Sequence, residues 1–304
     1  MIDRRIKIRH IQCFVEIVRQ KSMKKAAKKL YLTQPAISKT MKELEEILGT
    51  VLLLRSRAGV SLTRQGEVFL HFAEMSVAAL QQGLEGVEQI ERRGRTRLSI
   101  GALPSVAARL MPAAALEFAE LAPETTLQIS AGPHRYLVER LRQGALDLVI
   151  GRLGAPDIMQ GISFTQLYNE HVDFVVRPGH PILENPDPAR IGEWQVVYPS
   201  PASAIRPLVE GYLIANGAGE LPNRLETVSD AFGRVFTRNS DAIWIISAGV
   251  VAGEIAEGRL VRLPFDTSTT KGPVGLMARP DAEPSPEQRM FRIAVQNALK
   301  SLGL

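Results

Sequence analysis

Cysteine is nearly absent: Cys13 is the only one in 304 residues. That excludes an internal disulfide framework and fits a reducing compartment. Long apolar runs are absent too. The longest, Ala242 to Gly253, has twelve residues and is interrupted by Ser247, too short to span a bilayer. The opening "MIDRRIKIRHIQCFVEI" carries basic residues but no apolar core or small-residue cleavage site, so it does not read as a signal peptide, and a cytoplasmic protein without membrane contact is expected. Catalytic motifs are missing as well: no Gly-x-Ser-x-Gly elbow, no phosphate-binding Gly-rich loop ending in Lys-Ser/Thr, no His-Glu-x-x-His. The five histidines, His10, His71, His134, His171 and His180, are scattered, and none has metal-ligand spacing to another. Cys13, beside Phe14 on a helix that must bury one face, reads as a small buried thiol. No cofactor and no enzymatic activity are expected.

What is present is an ordinary globular composition, 45% apolar and 23% charged, in a chain long enough for two or three domains. Charge is unevenly placed. Residues 1–65 hold 15 Lys and Arg against 5 Asp and Glu, an excess of ten, while the whole chain carries +5, so the remaining 239 residues carry −5. Positive charge confined to one small segment points to a polyanionic partner for that segment.

Within it, Ile8, Ile11, Phe14, Val15 and Val18 make one apolar helical stripe. Ser22 suits the N-cap of a second helix, Met23 to Tyr31, with Ala26, Ala27 and Leu30 inward. Thr33 suits the N-cap of a third, where Pro35 is tolerable in the first turn because its missing N–H has no intrahelical partner. Ile37, Met41, Leu44 and Leu48 form the buried stripe of that helix and Gly49 closes it, while Gln34, Ser38, Lys39 and Lys42 lie opposite. "VLLLR", a short "SRAG" turn and "VSLT" read as a two-stranded hairpin. Arg64 to Arg92 follows as one long helix, with Leu70, Ala73, Val77, Leu80, Leu84 and Val87 spaced as an a/d seam suited to a partner helix.

The basic stretch "RRGRTR", Arg92 to Arg97, reads as a hinge. Beyond it strands and helices alternate: Leu98 to Leu103, a helix to Leu121, Thr126 to Ser130, a helix to Gln143, Leu146 to Ile150. The rhythm returns at Gln195 to Tyr198, helix Ile205 to Ala215, Arg224 to Val228, helix Asp230 to Thr237, Ala242 to Ile246, helix Ala248 to Glu257 and Leu260 to Leu263. Such alternation predicts two α/β lobes with mostly parallel sheets. "FVVRPGHPI" reads as the crossover between them and "KGPVGLMARP" as the return into the first.

With these parts in order, the chain resembles a LysR-type transcriptional regulator over essentially its whole length. Ser22, Ala26-Ala27, Leu30, Thr33-Gln34-Pro35-Ala36, Ser38, Leu44-Glu45, Leu48-Gly49, Leu52, Arg55, Leu62-Thr63 and Gly66 stand at that family's spacing. Leu53 and Leu54 depart from it, replacing an aromatic and a polar residue in the wing. The resemblance implies an α/β multidomain protein: a winged helix-turn-helix over residues 1–65, a linker helix that dimerises over 66–94, and a two-lobed effector-binding domain over 95–304 that resembles periplasmic binding proteins. It implies double-stranded promoter DNA, a small-molecule effector and RNA polymerase as partners, and a homodimer or homotetramer. The third helix would enter the major groove. Lys24, Lys25, Lys28, Lys29, Arg55 and Arg57 would meet phosphates; Gln34, Ser38, Lys39 and Lys42 would meet base edges, with Thr33 at the helix start and Pro35 and Ala36 offering apolar contact to a thymine methyl.

Effectors of open α/β sheets bind beyond the carboxyl ends of strands, where helix N-termini offer free N–H groups. That rule selects Pro104, Ser105 and Val106, then Ser130 to Gly132, and Arg152 to Gly154 in the first lobe. In the second it selects Ser200 to Ser203, Ser229 and Ser247, with Arg152 or Arg206 as a bidentate partner for a carboxylate. Hydroxyls and N–H donors in one cleft suit a small carboxylate or a polyol. The opening "IDRRIKIRHIQCFVEI" also resembles those of regulators of protocatechuate catabolism and of a galactose-binding protein, and the expectation leans to a carboxylate from aromatic-acid catabolism. The alternatives are control of a sugar-uptake operon, or a solute-binding protein without a transcriptional role.

Overall fold

The computed structural model describes residues 5–56, 59–91, 96–218, 221–280 and 283–304, leaving aside the side chains of residues 82 and 85–91. Arg57 and Ala58 of the "SRAG" turn, most of the hinge and the side chain of Val87 therefore lie outside the described residues. The chain divides into two compact units, Met1–Arg92 with Arg142–Gly144, and Arg93–Leu141 with Ala145–Leu304.

The first unit opens with α1 (Ile8–Gln20), α2 (Met23–Lys29) and α3 (Gln34–Leu48), followed by an antiparallel hairpin of β1 (Leu53–Ser56) and β2 (Gly59–Leu62), then α4 (Arg64–Glu91). Ser22 and Thr33 cap α2 and α3 by accepting from the Lys25 and Ala36 amides, and Gly49 closes α3 in the left-handed region. The buried face of α1 differs from the expected stripe: His10, Cys13, Phe14, Val15 and Ile17 face inward and Ile8 is exposed. His10 is drawn in because its Nδ1 accepts from the Lys7 amide while Nε2 lies 3.4 Å from Glu43 on α3. Cys13 is core, and burial pushes its thiol up. At the departure from the family pattern, Leu53 packs inward and Leu54 faces solvent.

The second unit is built from two five-stranded sheets. The first lobe runs β3 (Arg97–Ala102), α5 (Pro104–Leu121), β4 (Thr126–Ala131), α6 (His134–Arg142), β5 (Leu148–Arg152), α7 (Pro156–Met159) and β6 (Ser163–Glu170). The chain then crosses over. The second lobe holds β7 (Val172–Val176), β8 (Val196–Pro199), α8 (Arg206–Ala215), β9 (Arg224–Thr227), α9 (Asp230–Arg238), β10 (Ile243–Ser247), α10 (Ala248–Ala256) and β11 (Val261–Arg262). A second crossover returns to the first lobe through β12 (Gly272–Ala278) and α11 (Pro286–Leu302). Strand orders are β4-β3-β5-β12-β6 and β11-β7-β10-β8-β9. The three leading strands of each lobe's βα rhythm are parallel, whereas β12 and β6 are antiparallel in the first sheet and β7 and β11 in the second.

The expected return through "KGPVGLMARP" is β12. The expected crossover at Phe174 is corrected: Phe174 to Val176 belong to β7, and the chain changes lobe at His171. Each lobe has its own core. Leu98, Ile100, Val106, Leu110 and Phe118 pack with Phe291 and Val295 of α11 in the first. Phe174, Val196, Val209, Ile243 and Ile245 do so in the second.

Candidate functional site

Two surfaces follow from these elements. On the first unit, Lys24, Lys25, Lys28 and Lys29 of α2 and Gln34, Pro35, Lys39 and Lys42 of α3 are exposed, as is Thr33 between them, while Ala36 and Ser38 are half-buried. Residues 17–42 contain no Asp or Glu and eight Lys and Arg, so no carboxylate of this stretch opposes a polyanion. Arg55 of β1 donates to the Ser38 hydroxyl at 3.2 Å, joining wing and third helix. The wing itself is fixed from behind: Glu45 Oε1 accepts from the Leu52 and Leu53 amides at 2.8 and 3.1 Å, and Thr63 donates to the Val51 carbonyl at 2.8 Å. A Cβ on Gly66 would collide with the Leu52 carbonyl, which is why no side chain fits there. Glu45, Thr63 and Gly66 of the family spacing thus hold the wing.

On the second unit, a cavity of about 570 Å³ opens between the lobes, within the usual range for small ligands. Five helices present N-terminal residues to it: Pro104 and Ser105 of α5, His134 of α6, Ile205 before α8, Ser229 and Asp230 of α9, and Ser247 before α10. Converging N-termini give a positive potential suited to an anion. The wall between them is largely apolar, from Leu103, Ile205, Val228, Trp244, Ile246 and Val250.

Of the residues selected from the sequence, Pro104, Ser105, Arg152, Ser200, Ser203, Ser229 and Ser247 line this cavity. Three do not, and are corrected. Val106 is fully buried in the first-lobe core, because one step along α5 from Ser105 turns the side chain to the sheet. Ser130 lies on β4 next to Ala131, which lines the cavity, and strand alternation puts the two side chains on opposite faces. Arg206 pairs with Glu210 at 2.6 Å and Glu226 at 2.9 Å and lies over the Tyr198 ring at 4.7 Å, so its guanidinium is already engaged. Ser229 also spends its hydroxyl on the Phe232 amide at 3.2 Å.

Arg152, nearly fully buried, is part of the cavity wall. Its Nη1 and Nη2 donate to the carbonyls of Thr270 and Glu170, at 3.2 and 3.0 Å, so it ties both crossovers together. Its Nε has no hydrogen-bond partner among the described residues. Glu170, 3% exposed, lies 3.9 Å from the same guanidinium and accepts at 3.2 Å from the Gly249 amide of α10. Burial, opposed by the Ser105 hydroxyl and Arg152, pushes the Glu170 carboxyl above its usual range. The sequence reading missed Glu170, since nothing in "LYNEHV" marks a carboxylate that lies at a lobe crossing. His134, Thr227, Asp230, Arg234 and Trp244 of the wall were also missed. His134 could have been found by extending the strand-end rule one residue into α6.

The geometry describes a basic helix-turn-helix surface and a two-lobed α/β domain with a cavity between its lobes. Residues 8–67 match the model of the bacterial regulatory helix-turn-helix protein of the lysR family, and residues 91–300 match the LysR substrate binding domain. The chain belongs to the LysR family of transcriptional regulators, whose members regulate transcription and are not enzymes. The HTH-type transcriptional regulator PcaQ of Agrobacterium fabrum is 48% identical to it over 305 residues, covering 99% of this chain and 98% of that protein. GbpR of Azospirillum brasilense, also an HTH-type transcriptional regulator, is 27% identical over 301 residues, 97% of this chain and 87% of that one. The fold matches that of full-length CbnR complexed with its target DNA, with a TM-score of 0.56 at 21% identity, over 96% of this chain and all of the other. The two relatives support the subgroup to which the opening residues pointed. No helix among the described residues is long and apolar enough to cross a membrane.

Proposed function

We propose that this regulator binds promoter DNA through residues 1–65, associates with a second copy through residues 66–94, and is controlled by a small carboxylate of aromatic-acid catabolism bound within residues 95–304. The observation that carries the effector reading is the meeting of five helix N-termini on one largely apolar cavity: positive ends for a carboxylate, apolar walls for a ring or unsaturated chain. The similarity to PcaQ supports aromatic-acid catabolism over sugar uptake. DNA contact belongs to Lys24, Lys25, Lys28, Gln34, Ser38, Lys39, Lys42 and Arg55. A dimer of dimers, contact with RNA polymerase and residence in the cytoplasm belong to the same reading.

The test is thermal shift of the full chain against aromatic acids, muconates and sugars, repeated with Ser105→Ala and Ser203→Ala. Saturation at about a hundred times Kd adds about 2.7 kcal/mol to the stability of the state that binds. A carboxylate should raise the wild-type melting temperature and lose that effect in at least one variant. Stabilisation by sugars alone, or by a carboxylate equally in all three proteins, would place the reading in error.

A further inference from the structure

The turn between α2 and α3 holds a residue that the fold does not favour there. The Tyr31 amide donates to the Lys28 carbonyl at 3.4 Å and the Leu32 amide to the Ala27 carbonyl at 2.9 Å, the two bonds that end a helix in a Schellman motif. That motif needs its middle residue in the left-handed region, and Tyr31 has φ +55°. Glycine is favoured at this place because a Cβ there crowds the following carbonyl oxygen. A tyrosine gains nothing to offset that crowding, since it is 96% exposed and its ring buries no surface. Unrelieved left-handed strain on a non-glycine residue gathers at ligand clamps.

The surroundings say what the ring meets. Tyr31 stands in the acid-free stretch 17–42, with Lys28 and Lys29 exposed before it and Gln34 exposed after it at the start of α3. The exposed lysines around this turn favour a negatively charged ligand. A phenolic hydroxyl is an uncharged hydrogen-bond donor, and tyrosine is among the side chains that contact phosphate oxygens on duplex DNA.

We propose that the Tyr31 hydroxyl donates a hydrogen bond to a phosphate oxygen of bound duplex DNA, beside the groove that α3 enters. This rests on the reading of residues 1–65 as the DNA-binding segment. The contact adds affinity without adding counterion release, which separates it from the contacts of the neighbouring lysines.

The experiment uses the full chain and a duplex of about 60 base pairs, long enough for several half-sites, enriched from a random pool by the wild-type protein. Kd is measured by fluorescence anisotropy between about 50 and 200 mM salt. Tyr31→Phe should weaken binding about tenfold at every salt concentration with an unchanged salt slope and melting temperature. Tyr31→Asn should lose as much affinity while melting at or above the wild-type temperature, because asparagine tolerates the left-handed conformation. Lys28→Ala should instead reduce the slope by about one. A Tyr31→Phe protein within about twofold of wild type would sink the proposal, as would a change in mass of the Tyr31 variants by light scattering, which would assign the ring to a protein contact. If Lys28→Ala leaves the slope unchanged as well, the DNA-binding reading of this surface fails with it.

Discussion

At the scale of single residues, Glu170 is the side chain whose chemistry reaches furthest. It ends β6 of the first lobe, accepts from the Gly249 amide of the second, and touches the hydroxyl of Ser105, a residue that lines the cavity. A Cβ on Gly249 would stand 2.6 Å from Glu170 Oε1 and 2.9 Å from the Ser105 carbonyl oxygen, so the glycine permits this approach of α10. Burial raises the carboxyl above its ordinary value of 4.5, against the pull of Ser105, Arg152, the Gly249 amide and Arg109. A carboxyl raised on folding contributes fully below its unfolded pKa, and that contribution is lost as pH rises through the folded one. Glu170→Gln keeps the shape and the acceptor but cannot ionise. The variant should therefore gain stability relative to wild type as pH rises from about 5 to about 8, read as the difference in urea midpoints at the two values. The reverse trend would mean that the Arg152 charge holds Glu170 ionised and stabilising.

At the scale of elements, α4 shows how far a sequence pattern reaches. Its a/d seam is regular from Leu70 onward, yet the seam serves two surfaces. Ala73 is buried, and Leu70 and Val77 pack against the core formed by α1 to α3, where Phe14 meets Phe69 with ring centroids 5.3 Å apart. Leu80 and Leu84 remain exposed, and with Val68 and Phe72 they follow a ridge of four-residue spacing broken by the exposed Ser76. Spacing alone cannot say which partner a seam meets, because a helix's own domain and a second helix both ask for the same period. The ridge is accompanied by a hollow of about 520 Å³ lined by Leu48, Leu52, Val68, Phe69 and Phe72. Phe72→Glu with Leu84→Glu should thus halve the mass seen by light scattering while leaving the fold intact. Val77→Glu should unfold the first unit instead, since it forces a charge into the half-buried packing against α1. Equal mass in the double variant and wild type would remove α4 from the interface. The helix-turn-helix, the wing and five βα steps were legible because their caps and periods are local. By contrast β6, α7 and α11 were not read. β6 is an edge strand with a polar face, "SFTQLYNE", and α11 shows its role only once Phe291 meets Phe118 across 173 positions of sequence, with ring centroids 5.6 Å apart. The cavity followed a similar rule: helix starts after strands were legible, but which side of α5 or β4 faces the other lobe depends on tertiary packing.

At the scale of the whole molecule, charge and cavity lie in different parts of the chain: an excess of ten positive charges lies in residues 1–65, and the cavity between the lobes is lined by residues between 103 and 250. A ligand that fills the cavity touches both lobes, and the lobes are joined by the crossovers at His171 and between Leu263 and Gly272, which Arg152 links through the Glu170 and Thr270 carbonyls. Ligand binding should therefore favour one arrangement of the lobes, since only an arrangement in which both walls contact the ligand gains the full interaction. If DNA binding also depends on that arrangement, the two ligands share a coupling free energy, and linkage makes it reciprocal. The best carboxylate from the thermal-shift panel should change the Kd for the enriched duplex by a factor of about 5 to 150, and saturating duplex should change the Kd for the carboxylate by the same factor. Both are measured by titration calorimetry on the full chain at one salt concentration. Ser105→Ala, which removes a cavity hydroxyl and leaves residues 1–65 untouched, should weaken the carboxylate while keeping the duplex Kd of the ligand-free protein. A factor of one in both directions would show that the cavity, though a binding site, does not control the DNA-binding segment.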